Sequence, residues 1–218
     1  LSWQLDIKER GAQQVAYQVL VASTPELLAQ HQGDLWGSGK VESDRAGQVE
    51  YSGKPLASHQ SCFWKVKVWQ AGQLQAQWSK PAKWTTAFLS PNEWRAQWIT
   101  MPSASKEQAQ GLPIFRKSFA INGGLKRSLV NVSGLGHYEL FVNGRKVGDH
   151  FLDAPWSLCE KTVYYSSYDI TDLLREGENE FRIMLGKGFY NTRGDRRVHG
   201  VKEAGQLMAI LEARLEYA

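Results

Sequence analysis

Three side chains whose chemistry suits sugar binding lie close together near the middle of the chain: Asp149, Asp153 and Trp156. Carboxylates accept hydrogen bonds from sugar hydroxyl groups, and an indole ring can stack on the apolar face of a sugar. The same residue types also have a structural role, in which Asp accepts hydrogen bonds from turn amides and Trp packs in a core. The sequence favours the structural role and keeps sugar binding as the alternative.

A second polar group follows a Gly-Phe-Tyr corner and consists of Tyr190, Asn191 and Arg193. These side chains could reach a substrate or a neighbouring domain. A solvated loop without a ligand is the simpler interpretation. We therefore predict at most a substrate-binding role for this group.

Glu176, Glu178 and Asn179 carry the oxygen atoms that Ca²⁺ prefers. Their position around a glycine and before a strand fits a plain turn better. The sequence therefore predicts no cofactor, with Ca²⁺ as a minor alternative. His199 has no neighbours in sequence that would complete a catalytic triad, and no glycine-rich segment has the pattern of a phosphate-binding loop. We predict no catalytic residue and no other metal site in this chain.

The element that must position the first group is a predicted β-hairpin. Tyr138, Leu140 and Val142 alternate with other residues, as the buried face of a strand requires. Asn143 and Gly144 follow, and both tolerate the positive φ angles of a tight hairpin turn. The loop that holds Asp149 to Trp156 comes directly after this hairpin.

Residues 1–90 contain a series of short extended segments. The clearest strand is residues 62–69. Its predicted core-facing residues are Trp64, Val66 and Val68. Lys65 and Lys67 are predicted to face water. About seven short strands at regular spacing are typical of an immunoglobulin-like or fibronectin III-like sandwich.

The rest of the chain is also rich in strand patterns. We expect a linker at residues 91–110, where small and polar residues accumulate, and a second domain at residues 111–218. The predicted fold class is all-β, with two β-sandwiches in tandem and a jelly-roll-like arrangement in the second.

The composition is that of a folded protein with a mild charge. Hydrophobic residues make up 42% of the 218 residues, and the formal net charge of +4 is spread along the chain, which argues against a nucleic-acid partner. No apolar run is long enough to span a membrane. Cys62 and Cys159 are predicted to be free thiols. The chain begins at Leu1 and shows no signal peptide, which indicates a trimmed polypeptide and leaves the compartment (periplasmic, secreted or cytoplasmic) open.

The order of several segments resembles a known family. In the second half, the resemblance is to the N-terminal β-sandwich of bacterial α-L-rhamnosidases, glycoside hydrolase family 78. It rests on SGLGHYELFVNGRKVGDHFLDAPWS, KTVYYSSYDITDLLREGENEFRIMLGKGFYN and LMAILEARLEY. In the first half, the resemblance is to the fibronectin III-like module that precedes this sandwich in many of these enzymes. It rests on QQVAYQVLVAS, DLWGSGKVESD, VEYSGKPLAS, FWKVKVWQ and WRAQWI.

This resemblance implies a non-catalytic N-terminal fragment that stops before its second sandwich is complete. Enzymes of the family hydrolyse terminal α-L-rhamnose with inversion, using two carboxyl groups about 6.5–9.5 Å apart in a later α/α barrel. The implied role is to support that barrel and to help bind a rhamnose-containing glycoside. The alternatives are a stand-alone carbohydrate-binding module and an adhesion or interaction protein. An incomplete sandwich would expose a sheet edge, which makes self-association a further hypothesis.

Overall fold

The computed structural model describes residues 1–5, 11, 13–72, 76–102, 111–188, 190–191 and 205–218. The chain divides into two compact units, Leu1–Glu93 and Trp94–Ala218. Strands dominate both units and all strand pairs are antiparallel among the described residues. The predicted all-β class is confirmed.

The strands of the first unit belong to one sheet. Their bounds are β1 Gln14–Ala22, β2 Trp36–Gly37, β3 Val41–Glu42, β4 Ser61–Gln70, β5 Gln77–Trp78 and β6 Ala82–Thr85. The sheet order is β2-β1-β4-β5, with β3 also paired to β1 and β6 to β4. A short helix, α1 Pro25–Ala29, follows β1. A 3-10 turn, Pro91–Glu93, ends the unit.

One face of this sheet forms the main core of the first unit. The buried members from β1 and β4 are Tyr17, Val19, Val21, Cys62 and Val66, with Trp64 and Val68 packed against them. The opposing layer consists of extended segments rather than regular strands. Val49 N donates to Leu1 O at 2.8 Å, and Trp3 N donates to Ala46 O at 2.9 Å. The predicted core-facing residues of β4 are therefore confirmed.

Lys65 departs from the predicted pattern, because its side chain is buried rather than exposed to water. The residue is only 5% exposed. The C-terminal end of α1 covers it: Lys65 Nζ donates to Leu28 O at 2.5 Å and lies 2.7 Å from His31 Nδ1. Alternation along a strand predicts which face a residue occupies, but not whether another element covers that face.

The second unit is a sandwich of two four-stranded sheets. Its strands are β7 Ile99–Thr100, β8 Ile114–Ile121, β9 Leu125–Leu135, β10 His137–Val142, β11 Arg145–Lys146, β12 Ser166–Asp169, β13 Gly177–Gly186 and β14 Met208–Tyr217. One sheet has the order β11-β10-β13-β8 and the other has the order β12-β9-β14-β7. A 3-10 turn, Thr171–Leu173, precedes β13. Both sheets contribute to one core, whose buried members include Val130, Val132, Leu140, Phe181, Ile183 and Ala209.

The predicted hairpin is present as β10 and β11. Val142 pairs with Arg145, and the turn residues Asn143 and Gly144 have φ angles of 50° and 79°. Asn143 also binds beyond the turn. Its Nδ2 donates to Leu173 O at 2.9 Å, and its Oδ1 accepts from Glu180 N at 3.0 Å. The hairpin turn is therefore tied to the neighbouring strand as well as to itself.

The predicted domain limits of 1–90, 91–110 and 111–218 stay a prediction. The division into compact units falls after Glu93, and Ile99–Thr100 within the predicted linker pairs with β14. Cys62 and Cys159 are free, as predicted. Among the described residues, no helix is long and apolar enough to cross a membrane.

Candidate functional site

The loop after β11 is joined to the start of β10 through its backbone. Tyr138 N donates to Asp153 O at 2.6 Å, and the two residues form an isolated antiparallel bridge. The Asp153–Ala154 peptide is cis. This contact places the Asp153 side chain beside the sandwich rather than in open solvent.

The Asp153 carboxylate lies at the centre of a small polar cluster. Tyr168 on β12 donates its hydroxyl to Asp153 Oδ2 at 2.6 Å. His150 Nδ1 lies 3.4 Å from the same oxygen and 3.3 Å from the Tyr168 hydroxyl. The Asp153 side chain is 15% exposed, whereas the His150 side chain is 60% exposed. The carboxylate thus has structural partners, and the imidazole faces solvent.

Burial dominates the ionisation of the two tyrosines near this cluster. It raises the pKa of Tyr168 to about 12, and the hydrogen bond that Tyr168 donates to Asp153 acts in the same direction. Burial also raises the pKa of Tyr138 far above its ordinary value. Both phenols therefore stay protonated at neutral pH and serve as hydrogen-bond donors rather than as bases.

Asp149 and Trp156 differ from Asp153 in their exposure. The Asp149 carboxylate is fully exposed and lies 3.9 Å from His150 Nε2. Trp156 is 74% exposed. His150 thus lies between the two carboxylates, 3.9 Å from that of Asp149 and 3.4 Å from that of Asp153. The structure presents the indole of Trp156 to solvent.

The same loop carries exposed apolar side chains, and sequence reasoning had singled out only Trp156 among them. We call Phe151, Leu152, Trp156, Leu158 and Tyr164 the apolar loop surface. Phe151 is 81% exposed, and Lys146 Nζ lies 4.5 Å from its ring centroid. The adjacent Phe151 and Leu152 were the signal available in the sequence. Because alternation rules do not apply to loops, the sequence did not predict that these two side chains are exposed.

Two residues of the second predicted group are hydrogen-bonded to Gly205. Asn191 Nδ2 donates to Gly205 O at 2.6 Å, and Gly205 N donates to Tyr190 O at 3.3 Å. Burial raises the pKa of Tyr190. Arg193 lies outside the described residues. A substrate-binding role for these three residues stays a prediction.

The turn proposed as a calcium alternative is organised by Asn179. Its Oδ1 accepts from Arg175 N at 3.0 Å and from Asn143 Nδ2 at 2.8 Å. Its Nδ2 donates to the carbonyl groups of Arg175 and Gly177. The amide oxygen is thus engaged by the protein itself. Within the part of the chain that the structure describes, no group of three His, Cys, Asp or Glu residues could hold a metal ion.

Both units match known protein families. A family model described as "Rha78A-like, N-terminal immunoglobulin domain" matches residues 1–90. A second, described as "Alpha-L-rhamnosidase N-terminal domain", matches residues 123–218. The chain belongs to the α-L-rhamnosidase family and corresponds to the N-terminal region of its members. The resemblance predicted from the sequence is confirmed for both halves of the chain.

Curated α-L-rhamnosidases share this region at substantial identity. One from Formosa agariphila is 37% identical, over 87% of this chain and 22% of that protein. One from Alteromonas sp. (strain LOR) is 30% identical, over 88% of this chain and 22% of that protein. The solved structure of the α-L-rhamnosidase from Dictyoglumus thermophilum matches with a TM-score of 0.83 at 33% identity, covering 99% of this chain and 25% of that chain. The chain thus spans between 22% and 25% of the length of these α-L-rhamnosidases.

Proposed function

We propose that this chain is a non-catalytic part of an α-L-rhamnosidase that packs against and positions a catalytic domain. The matched region covers 22% to 25% of the length of these relatives, which are therefore about four to five times as long as that region. The paired carboxylates that inverting hydrolysis needs are supplied, in this proposal, by the remainder of the enzyme. The substrate is terminal α-L-rhamnose on a glycoside.

The apolar loop surface is the observation that carries this proposal. Five large apolar residues between positions 151 and 164 are more than half exposed. Five exposed apolar side chains within fourteen residues of one loop are more than isolated surface residues, and exposed apolar patches usually mark a contact with another protein surface. Leu152 and Leu158 have neither the flat ring nor the polar atoms that sugar sites use. A protein partner, here the catalytic domain, therefore fits this surface better than a sugar does.

Activity measurements test the catalytic half of the proposal. The purified 218-residue chain should release no rhamnose from an aryl α-L-rhamnoside, because it is proposed to lack the acid and the base. Robust release of rhamnose by this chain would overturn the proposal.

Hydrogen exchange tests the packing half. We expect backbone amides of residues 148–165 to exchange more slowly in the longer α-L-rhamnosidase than in this chain alone. A double variant with Phe151→Ser and Leu152→Ser should lower the thermal stability of the longer enzyme and leave this chain's stability nearly unchanged. The matched control is Leu89→Ser, which changes a leucine that is 58% exposed in the first unit. Equal exchange in both proteins would contradict a packing role.

A stand-alone carbohydrate-binding module is the second candidate, and the exposed indole of Trp156 favours it. Calorimetry with L-rhamnose, with and without Ca²⁺, separates the two functions. Heat that disappears in Trp156→Ala but not in Leu158→Ala would support sugar binding through the indole. No heat at millimolar sugar favours the packing role. Self-association through an exposed sheet edge stays a hypothesis, and a monomeric scattering profile would exclude it.

A further inference from the structure

The outward face of the first unit's sheet, opposite its core, carries lysine and tryptophan side chains. Lys67 on β4 lies opposite Trp78 on β5 and Gln18 on β1, and Trp69 lies opposite Ala16. These side chains alternate with the core-facing Val66 and Val68 and so point away from the core. We call Lys40, Lys67, Trp69 and Trp78 the lysine–tryptophan face.

Ammonium groups lie over both indole rings. Lys67 Nζ is 5.2 Å from the centroid of Trp69 and 5.9 Å from that of Trp78. Lys40 Nζ lies 5.2 Å from the centroid of Trp69. Trp69, Trp78 and Lys67 are all partly exposed, and Lys40 is exposed. Trp78 also packs against Leu20, Ala22 and Leu28, and its ring stacks on His31 at a centroid distance of 5.5 Å. Trp69 therefore supplies the accessible indole of this face, beside the ammonium groups of Lys40 and Lys67.

The charge of this face is positive. Lys83 on β6 extends it, with its Nζ 5.8 Å from the ring of Phe63. The described acidic partner is Glu42, whose carboxylate lies 2.7 Å from Lys40 Nζ. Lys65 occupies the same face, but its ammonium group is buried against Leu28 O and His31. Three accessible lysines thus stand against one carboxylate, and the excess cations have no anionic partner in the described part of this face.

We propose that the lysine–tryptophan face binds an acidic glycan, that is, a polysaccharide whose sugar rings carry carboxylate or sulfate groups. The apolar face of a sugar ring stacks on Trp69, and the anionic groups pair with Lys67, Lys40 and Lys83. A neutral sugar would use the indole and leave the lysines unpaired. This function is separate from the proposed packing of the second unit and does not depend on it.

A nucleic acid also combines flat rings with negative charge, but this surface suits it less well. Proteins that bind single strands without sequence preference use a positively charged groove that follows the backbone over several nucleotides. The described face has three accessible lysines, and the whole chain has a net charge of only +4. A glycan with spaced acidic groups fits this charge density better.

Affinity electrophoresis of the 218-residue chain in gels that contain polysaccharide tests the proposal. The gels contain polygalacturonate for carboxylate, dextran sulfate for sulfate, or neutral dextran as the control. We expect retardation by at least one acidic polymer, none by dextran, and weaker retardation at higher salt. Comparison of the two acidic gels identifies the anionic group. No retardation by either acidic polymer, equal retardation by dextran, or tighter binding to an oligo-dT strand would each overturn the proposal.

Substitutions locate the binding site. Trp69→Ala should weaken retardation about tenfold, because it removes the ring on which the sugar stacks. Lys67→Gln should weaken it several-fold and removes only a charge, so it remains informative if Trp69→Ala fails to fold. Lys54→Gln is the matched control. Lys54 follows Tyr51, whose ring packs against the core on the other side of the sheet. An equal loss in Lys54→Gln and Lys67→Gln would show that only net charge matters and would refute the site.

Discussion

The two units bury their cores in different ways. The second unit closes two sheets over one core, so the inward residues of β9, β10, β13 and β14 all meet in the same cluster. The first unit has one sheet in its described residues, and extended segments that form no regular strands cover its core face. Its other face is covered in part by α1, whose Leu28 belongs to the cluster against which Trp78 packs, and it carries the more accessible Lys40, Lys67 and Trp69. A strand's polar side is therefore exposed or buried according to what lies above it.

The largest expected effect is in the core of the second unit. Ile183 is 4% exposed on β13, so Ile183→Ala should lower the free energy of unfolding by about 2–5 kcal/mol, because it leaves a cavity between two sheets. Urea denaturation measures this loss. The matched control is Ile114→Ala on the neighbouring strand β8, where the isoleucine is 50% exposed and the change should stay within about 0.5 kcal/mol. Equal losses at the two positions would contradict the two-sheet core.

The hairpin turn should be the next most sensitive point. Asn143→Ala removes the hydrogen bonds to Leu173, Asn179 and Glu180 and places alanine at a φ of 50°. We expect a loss of about 2–3 kcal/mol in the free energy of unfolding, because each hydrogen bond contributes about 1 kcal/mol. Asn143→Gly separates the two causes, since it accepts the backbone conformation but lacks the side chain. A loss in Asn143→Gly as small as a few tenths of a kcal/mol would mean that the hydrogen bonds contribute little.

A smaller effect is expected at the helix of the first unit. Thr24 caps α1, and its Oγ1 accepts from Leu27 N at 3.3 Å. Thr24→Ala should cost about 1 kcal/mol, whereas Thr24→Ser keeps the acceptor and should cost less. Because α1 covers Lys65, hydrogen exchange near β4 should accelerate in Thr24→Ala. Unchanged hydrogen exchange along β4 would show that the N-terminal cap of α1 does not affect how well α1 protects Lys65 and β4.

High pH should affect the two units in opposite directions. Burial lowers the pKa of Lys65 below its ordinary 10.5. Between the lowered pKa and 10.5, the unfolded chain binds more protons than the folded protein, so the free energy of unfolding rises with pH. Burial raises the pKa of Tyr168 from 10.0 to about 12, so across that interval the folded protein binds more protons and the free energy of unfolding falls.

Two variants separate these contributions in urea denaturation at several pH values. In Lys65→Met, the free energy of unfolding should lack the rise that the parent protein shows below pH 10.5. In Tyr168→Phe, the free energy of unfolding should fall less steeply between pH 10 and 12. Curves that run parallel to the parent protein at every pH would mean that neither group changes its proton affinity on folding.

Local rules predicted the hairpin well. Tyr138, Leu140 and Val142 are buried because a strand places alternate residues on one face, and that pattern depends on neighbours in sequence. Asn143 and Gly144 adopt positive φ because their own side chains permit it. The family resemblance and the all-β class followed from such segments taken in order.

Contacts between distant residues could not be predicted in the same way. Lys65 is buried because Leu28 O and His31 approach from a separate element. Asp153 is held by Tyr168, which lies across the sandwich on β12. The sequence analysis considered turn amides as partners of Asp153, whereas the observed donor to its side chain is a phenol. Phe151 is exposed because no described element packs over most of its side chain, and a local sequence pattern does not predict such packing.

The strand order of the second unit also determines when its sheets can form. β9 is paired on both sides, with β12 and with β14, and Leu125 of β9 pairs with Tyr217 of β14. Half of this sheet therefore cannot form until residues some ninety positions later in the chain have been synthesised. Closing such large loops before the stabilising contacts form is slow, and domains of this kind fold in milliseconds to seconds. During synthesis, one long edge of β9 stays open until β14 emerges, and that interval is when the nascent chain most needs protection from other chains.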